Sequence, residues 1–142
     1  MIHVSLTRLR IRSIRFLPQF ALQTYRSIAQ IRKSPGFLTG QLLIDRRFTF
    51  WTLTAWDSPE SMRAFMLSGS HKQAMPHLLR WCDEASVAHW EQPDANLPTW
   101  PEADHRMREQ GRASKVLHPS PQHATLTFAP PRTTASAPIR PA

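Results

Sequence analysis

The stretch FTFWTLTAW, residues 48–56, decides the fold, because it is the most apolar part of the chain and its residues sort cleanly onto two faces. Phe48, Phe50, Thr52, Thr54 and Trp56 fall on one side, and Thr49, Trp51, Leu53 and Ala55 on the other. A strand with one face in water has one apolar and one polar side. Here both sides carry aromatic residues, so the second face must also meet something: a helix layer, a partner subunit or a ligand.

Working outward, FLTGQLLID (37–45) precedes this strand with only Arg46 and Arg47 between them, which predicts a hairpin. DSPES (57–61) then opens a helix, with Asp57 or Ser58 as cap, Pro59 at the first helical position and Glu60 near the positive end of the dipole. Met62, Phe65 and Met66 supply its apolar face. SGS (68–70) breaks it, helical spacing resumes over 71–84 with a bend at Pro76, and ASVAHWEQ (85–92) reads as a closing strand.

Upstream, Ile2, Val4 and Leu6 keep a two-residue period that Leu9 and Ile11 resume in opposite phase, as a bulge would produce. A helix follows with Pro18 in its first turn and Leu17, Ala21, Thr24, Ile28 and Ile31 as its stripe, ended by SPG (34–36). The order strand, helix, strand, strand, helix, strand predicts an α+β, ferredoxin-like split βαβ unit. In that arrangement a four-stranded antiparallel sheet carries both helices on one face. The other face is left bare, and a second copy of the same sheet, hence a homodimer, is the expected cover.

The chain of 142 residues holds four prolines up to Gln92 and nine beyond it. This shift predicts a compact domain over 1–92 and a loosely packed extension over 93–118, with a short helix at 102–110 stopped by Gly111. A disordered, Pro-rich tail is expected over 119–142. No apolar run approaches the roughly 20 residues that span a bilayer, so the expectation is a cytoplasmic protein without a membrane span. The N-terminal MIHVSLTRLRIRS, basic and free of acids, has the composition of a transit peptide, but its alternation reads as a first strand.

The net charge of +8 is concentrated early: the first 44 residues hold seven Arg or Lys and no acid. No recognition helix or RNP-type strand accompanies this charge, so it reads as a solvated face rather than a nucleic-acid surface. One cysteine, Cys82, excludes an internal disulfide and a cysteine-built zinc site, and reads as a buried, inert thiol in a helical stretch.

Few residues carry chemistry by pattern. There is no HExxH, phosphate-cradling glycine loop or nucleophile elbow, and no protein-built metal site is expected. His71 shares a helical stripe with Met75, Leu78 and Cys82 and so points toward the core; a haem ligand, a general base and a helix-start histidine bonded to backbone are all compatible with that place. His105, His118 and His123 lie beyond the compact unit and are expected to be solvated. Phe50, Trp51, Trp56, Phe65 and Met75, with Met62 and Met66, compose either a pocket wall or plain core. Arg46 and Arg47, at the hairpin tip, read as solvated turn residues or as a clamp for an anionic group such as a propionate.

FWTLTAW, preceded by SPGFLTGQLL and followed by DSPESMRAFMLSGSHKQAM, resembles the antibiotic-biosynthesis monooxygenase-like superfamily over residues 2–92, nearest to its spheroidene monooxygenase-like branch and related uncharacterised domains. The resemblance implies a dimeric α+β barrel. It also implies kinship with cofactor-independent oxygenases of polyketide-like aromatics, haem-degrading oxygenases and carotenoid oxygenases. A gap-free overlay on the haem-degrading pattern puts Phe65 at its tryptophan and Met75 at its histidine, which argues against ring-cleaving haem oxygenation. His71, one turn earlier, leaves haem open in another geometry.

The expectation is therefore a monooxygenase-like homodimer that binds an apolar small molecule, haem or a carotenoid- or polyketide-type substrate, between sheet and helices. Whether it is an enzyme stays open. His71 is the candidate catalytic residue, His71, Arg46 and Arg47 the cofactor contacts, and Phe50, Trp51, Trp56, Phe65 and Met75 the substrate contacts. The alternative is a non-enzymatic dimeric binding or structural protein whose basic first strand and helix contact an acidic partner or nucleic acid.

Overall fold

A computed structural model describes residues 1–142. Strands β1 (Ile2–Ile11), β2 (Phe37–Asp45), β3 (Thr49–Trp56) and β4 (Cys82–Gln92) form an antiparallel sheet in the order β4-β1-β3-β2. Helices α1 (Leu17–Arg32), α2 (Pro59–Met66) and α3 (Gly69–Trp81) complete the ferredoxin-like order and stack on one face. A further helix α4 (Trp100–Gln110) and two short edge strands, β5 (Arg112–Ala113) on β4 and β6 (Ser136–Ile139) on β2, raise the sheet to six strands.

Local chemistry sets these elements. Ser58, not Asp57, caps α2, its hydroxyl accepting the Ser61 N–H, with Pro59 just inside the helix. Thr99 caps α4 in the same way, accepting from Glu102, and Gly111 ends it. Pro76 lies inside α3 on an exposed side. Cys82 is the first residue of β4 rather than part of a helix, because α3 hands directly over to the strand at Trp81.

The expected bulge after Leu6 is absent: β1 pairs with β3 without interruption from His3 to Arg10, and the register shifts only against β4, at Arg10/Ile11. The change of phase has another cause. Val4 and Leu6 enter a core on the sheet face away from α1, whereas Leu9 and Ile11 enter a core on the helix face. Both faces are buried, so apolar residues switch sides without any break in the pleat.

The segment beyond Gln92 corrects two expectations. It is neither a loose extension nor a disordered tail: Trp100, Ala103 and Met107 of α4, together with Phe128, pack on Val4, Leu6, Leu43, Trp51, Leu53, Ala88 and Trp90. The bare sheet face is thus covered by the chain's own α4, in the place assigned to a second copy. From Gly111 the chain runs as a strap around the sheet. Ser114 donates to Ala85, Leu117 to Leu79 and Ser120 to Asp83; the Arg132 N–H then reaches the Asp45 carboxylate, and Ile44 donates to Ala135 just before β6. His123, expected in solvent, is buried, its Nδ1 accepting from the Ala85 N–H and its Nε2–H donating to the Ser114 carbonyl at 2.8 Å.

Composition pointed to disorder because it counts apolar residues. A strap needs few when grooves already exist for them, and its prolines leave less chain entropy to lose on ordering. Pro138 sits where a proline is tolerated, on an edge strand.

Candidate functional site

The helix face of the sheet has two separate cores. At one end Ile11, Phe16, Phe20, Trp81, Cys82 and Ala85 pack together; at the other, Ile31, Phe37, Trp56, Met62, Phe65 and Ile139. Between them lies a cavity of about 400 Å³, floored by the sheet and roofed by α1 and α3. That volume is within the range of about 300–1,000 Å³ usual for small-molecule sites.

The opening comes from short side chains at the centre of the sheet. Ser5 and Thr7 of β1 stand opposite Thr54 and Thr52 of β3, so four hydroxyl residues pave the floor. The same rows continue to His89 and Val87 on β4 and to Gly40 and Leu42 on β2. Phe50 and Trp56 flank the two threonines along β3. The stretch that decides the fold is therefore aromatic at both ends of its helix-facing side and small and polar in the middle. Side chains this short cannot reach the helices.

Most of the sequence-predicted contacts converge here. Phe50, Trp56, Phe65, Met75 and His71 all line the cavity, as do Met62 and Met66; Trp56 is fully buried, while Met75 is 38 % exposed at the rim. Trp51 does not. It points through the opposite face, where its Nε1–H donates to Asp45 Oδ2 at 3.1 Å and its ring meets Trp100 and Phe128 edge-on. Strand parity forbids one ligand from touching both Trp51 and Trp56. Arg46 and Arg47 are also elsewhere, beside Asp45 and Thr49 at the hairpin end, lining a different and polar cavity. The expected clamp and the His71 site are thus two places.

His71 is held from three sides. Its backbone N–H donates to Gln30 Oε1 at 2.9 Å, its Nδ1–H to the Met66 carbonyl at 3.3 Å, and its ring lies 4.7 Å from that of Phe65. Gln30 fixes the helix break as well, donating to the Ser68 and Phe65 carbonyls across from Gly69, whose φ of +56° suits a residue without Cβ. Burial lowers the His71 pKa, and the backbone bond to Met66 only partly opposes this. At neutral pH the ring is uncharged, and with Nδ1 protonated its Nε2 carries the lone pair. The helix-start histidine bonded to backbone is thus also a cavity residue with a free basic nitrogen.

Sequence reasoning missed three polar residues that line the cavity and a fourth behind it. His89 stands opposite Ser5, its pKa lowered by burial and by His3 and Arg112. Arg112 is the one arginine or lysine that lines the cavity. Gln23 lines the roof, and its Oε1 is buried with no hydrogen-bond partner. Gln30 acts from behind, through His71. For His89 the parity of ASVAHWEQ against β1 was the available signal; for Gln23 and Gln30 there was none in a single sequence.

The residues expected to hold a haem are not brought together: His71 offers one imidazole nitrogen, but Arg46 and Arg47, expected at the propionates, are on the other side of the sheet. There is also no cluster of three or more His, Cys, Asp or Glu that would hold a metal ion. Of the basic residues in the first strand and helix, Arg8 is paired with Glu84 at 2.6 Å and Arg10 with Asp83 through two bonds of 2.9 and 2.8 Å, whereas Arg12, Arg15, Arg26, Arg32 and Lys33 form no ion pair. No helix is long and apolar enough to cross a membrane.

Comparison with known proteins agrees with this fold. Residues 20–124 match the family described as Domain of unknown function (DUF3291). No curated protein matches the chain in sequence. Among solved structures, SnoaB, a cofactor-independent oxygenase from Streptomyces nogalater, is similar with a TM-score of 0.54 at 15 % identity, over 68 % of this chain and 97 % of that one. An antibiotic biosynthesis monooxygenase gives 0.57 at 12 % identity, over 66 % of this chain and all of that one. A conserved protein from Methanosarcina mazei gives 0.58 at 14 % identity, over 66 % and 94 %. At these identities the likeness is one of fold.

Proposed function

This chain belongs to the DUF3291 family, and from that premise and the cavity we propose a monooxygenase-like protein that binds one apolar, hydroxyl-bearing small molecule between sheet and helices. The observation that carries the reading is the split helix-side core. Two packed clusters are separated by a space that aromatic and methionine side chains wall and four hydroxyl residues floor. Apolar walls supply affinity, and the hydroxyl floor with Gln23 fixes orientation through directional bonds. A buried acceptor without a partner, Gln23 Oε1, suits a ligand carrying an O–H or N–H.

Two features support oxygenase chemistry of the cofactor-independent kind that SnoaB's name describes. His71 presents a neutral imidazole with Nε2 unprotonated, the form a general base needs to take a phenolic or activated C–H proton. The enclosure keeps the resulting anion away from bulk water while it reacts with oxygen, so the protein's part is to position and deprotonate.

The test uses a tricyclic phenolic ligand, 1,8-dihydroxyanthrone, with intrinsic tryptophan fluorescence read for binding and an oxygen electrode for turnover. The wild type is expected to show saturable quenching, because Trp56 and Trp81 line the cavity. Thr52→Leu, which fills the floor, should abolish it. His71→Gln is expected to keep binding and lose oxygen consumption. Quenching that survives Thr52→Leu would place the ligand outside the cavity and sink the reading; binding without any oxygen uptake would leave a binding protein and remove the enzymatic half.

A further inference from the structure

The opposite side of the sheet holds a second cavity of about 330 Å³, between the β2–β3 hairpin end and the strap at residues 122–130. Its walls are polar and cationic: Arg8, Arg10, Arg46 and Arg47 against Asp45 and Glu84. Both carboxylates are already engaged. Asp45 accepts from the Trp51 indole and from the backbone N–H groups of Arg46 and Arg132, and Glu84 takes Arg8 and the Ser120 hydroxyl, each at 2.6 Å. Arg10 is matched by Asp83 just behind the wall. The guanidinium groups of Arg46 and Arg47 form no ion pair, and the Nε–H of Arg8, in a side chain only 5 % exposed, has no acceptor at all.

A buried guanidinium donor without a partner costs free energy that some acceptor should offset. Arg47 and Phe48, with positive φ of 56° and 58°, are the two central residues of the tight hairpin turn that the Thr49 N–H closes on the Arg46 carbonyl, which holds both arginines at this end of the sheet.

From this geometry we propose that the cavity is a binding site for a small soluble organic oxyanion, a phosphate or carboxylate compound, held by the Arg46 and Arg47 forks with Arg8 beneath. Planar guanidinium groups bind both anion types in bidentate fashion, so the chemistry is shared between them. Because Gln122, Thr127, Phe128, Ala129 and Pro130 form one wall, the anion also ties the strap to the sheet. The site is independent of the monooxygenase-like reading, since it lies on the other face.

Calorimetric titration of the full chain with pyrophosphate and with citrate, each at ionic strength matched with sodium chloride, tests this. Saturable binding of either is the expected result, and which one binds identifies the anion class. The exposed pair Arg46→Gln/Arg47→Gln should weaken it at least about tenfold, the value of one charge-assisted bond. That variant folds as the wild type does by circular dichroism if the pair is functional rather than structural. Hydrogen exchange of residues 122–130 should slow when the anion is present. No binding of either compound, or equal binding by the double variant, would overturn the proposal.

Discussion

Trp51 and Trp56 lie on the same strand, are both fully buried, and face opposite sides of the sheet. Trp56 packs against Phe37 and Phe65, each at 5.5 Å between ring centres, and its indole N–H donates to the Thr54 hydroxyl beside the cavity. Trp51 meets Trp100 and Phe128, which arrive from the last third of the chain. One strand therefore serves an open cavity on one side and a solid core on the other.

Through that core the C-terminal segment contributes to stability. Met107 is fully buried in it, and Met107→Ala is expected to lower unfolding free energy by about 2–5 kcal/mol, measured by urea denaturation. Met75→Ala, at the exposed rim, should change it by about 0.5 kcal/mol or less. Equal stability of the two variants would mean that α4 does not pack as described.

Two molecules cannot meet sheet to sheet while α4 occupies that face. The intact chain is expected to run near its monomer mass of 16.3 kDa in light scattering, in place of the barrel dimer that the resemblance implies. Met107→Asp should loosen α4, expose apolar sheet and raise the mass in a concentration-dependent way. A stable wild-type dimer would show that association uses another surface or displaces the strap.

The lowered pKa of His71 makes stability depend on pH with a defined sign. The unfolded chain takes up the proton near the ordinary histidine value of 6.5, whereas the folded chain takes it up at lower pH. Its contribution is complete above about pH 6.5 and is lost as pH falls through and below that value toward the folded pKa. No charged neighbour drives the shift, so it should be insensitive to salt. Urea midpoints at pH 7.5 and 5.5 are expected to differ by less in His71→Gln than in the wild type; an equal difference would remove His71 as the source.

Cys82 is fully buried, and burial, with Asp83 next to it, pushes its thiol up to about 12. Iodoacetamide at pH 8 is expected to leave the native protein unmodified and to alkylate it fully in denaturant, as read by mass spectrometry. Rapid labelling of the native chain would contradict the packing of α3 against β1 and β4.

Much of the helix face was legible because its signals are local. The DSPES cap and the His71–Met75–Leu78 stripe depend on residues close in sequence and lie where the spacing puts them; the hairpin also forms, but its turn takes in Phe48 besides Arg46 and Arg47. Trp51 was separable from Phe50 and Trp56 by parity alone, yet aromatic character grouped it with them. The cover of the far face was not legible, since α4 and β1 meet through residues about a hundred positions apart with no shared local pattern. A helix over 102–110 was readable; its Trp100, Ala103 and Met107 stripe names a buried side only once the sheet it serves is known.

The strap also sets the order of events during synthesis. Gly40 pairs with Ile139, and the backbone of Ala142 bonds to Arg32, so these closures join residues about a hundred positions apart. The first four strands and three helices are complete when Gln92 leaves the ribosome, but Trp51, Leu53 and Trp90 then have nothing over them. Contacts of such long separation form late, and until they do the nascent domain carries an adhesive surface. Slow translation or premature termination between Gln92 and Phe128 should therefore yield a chain that lacks its cover and the Ile139 side of its cavity, and depends on chaperones to stay in solution.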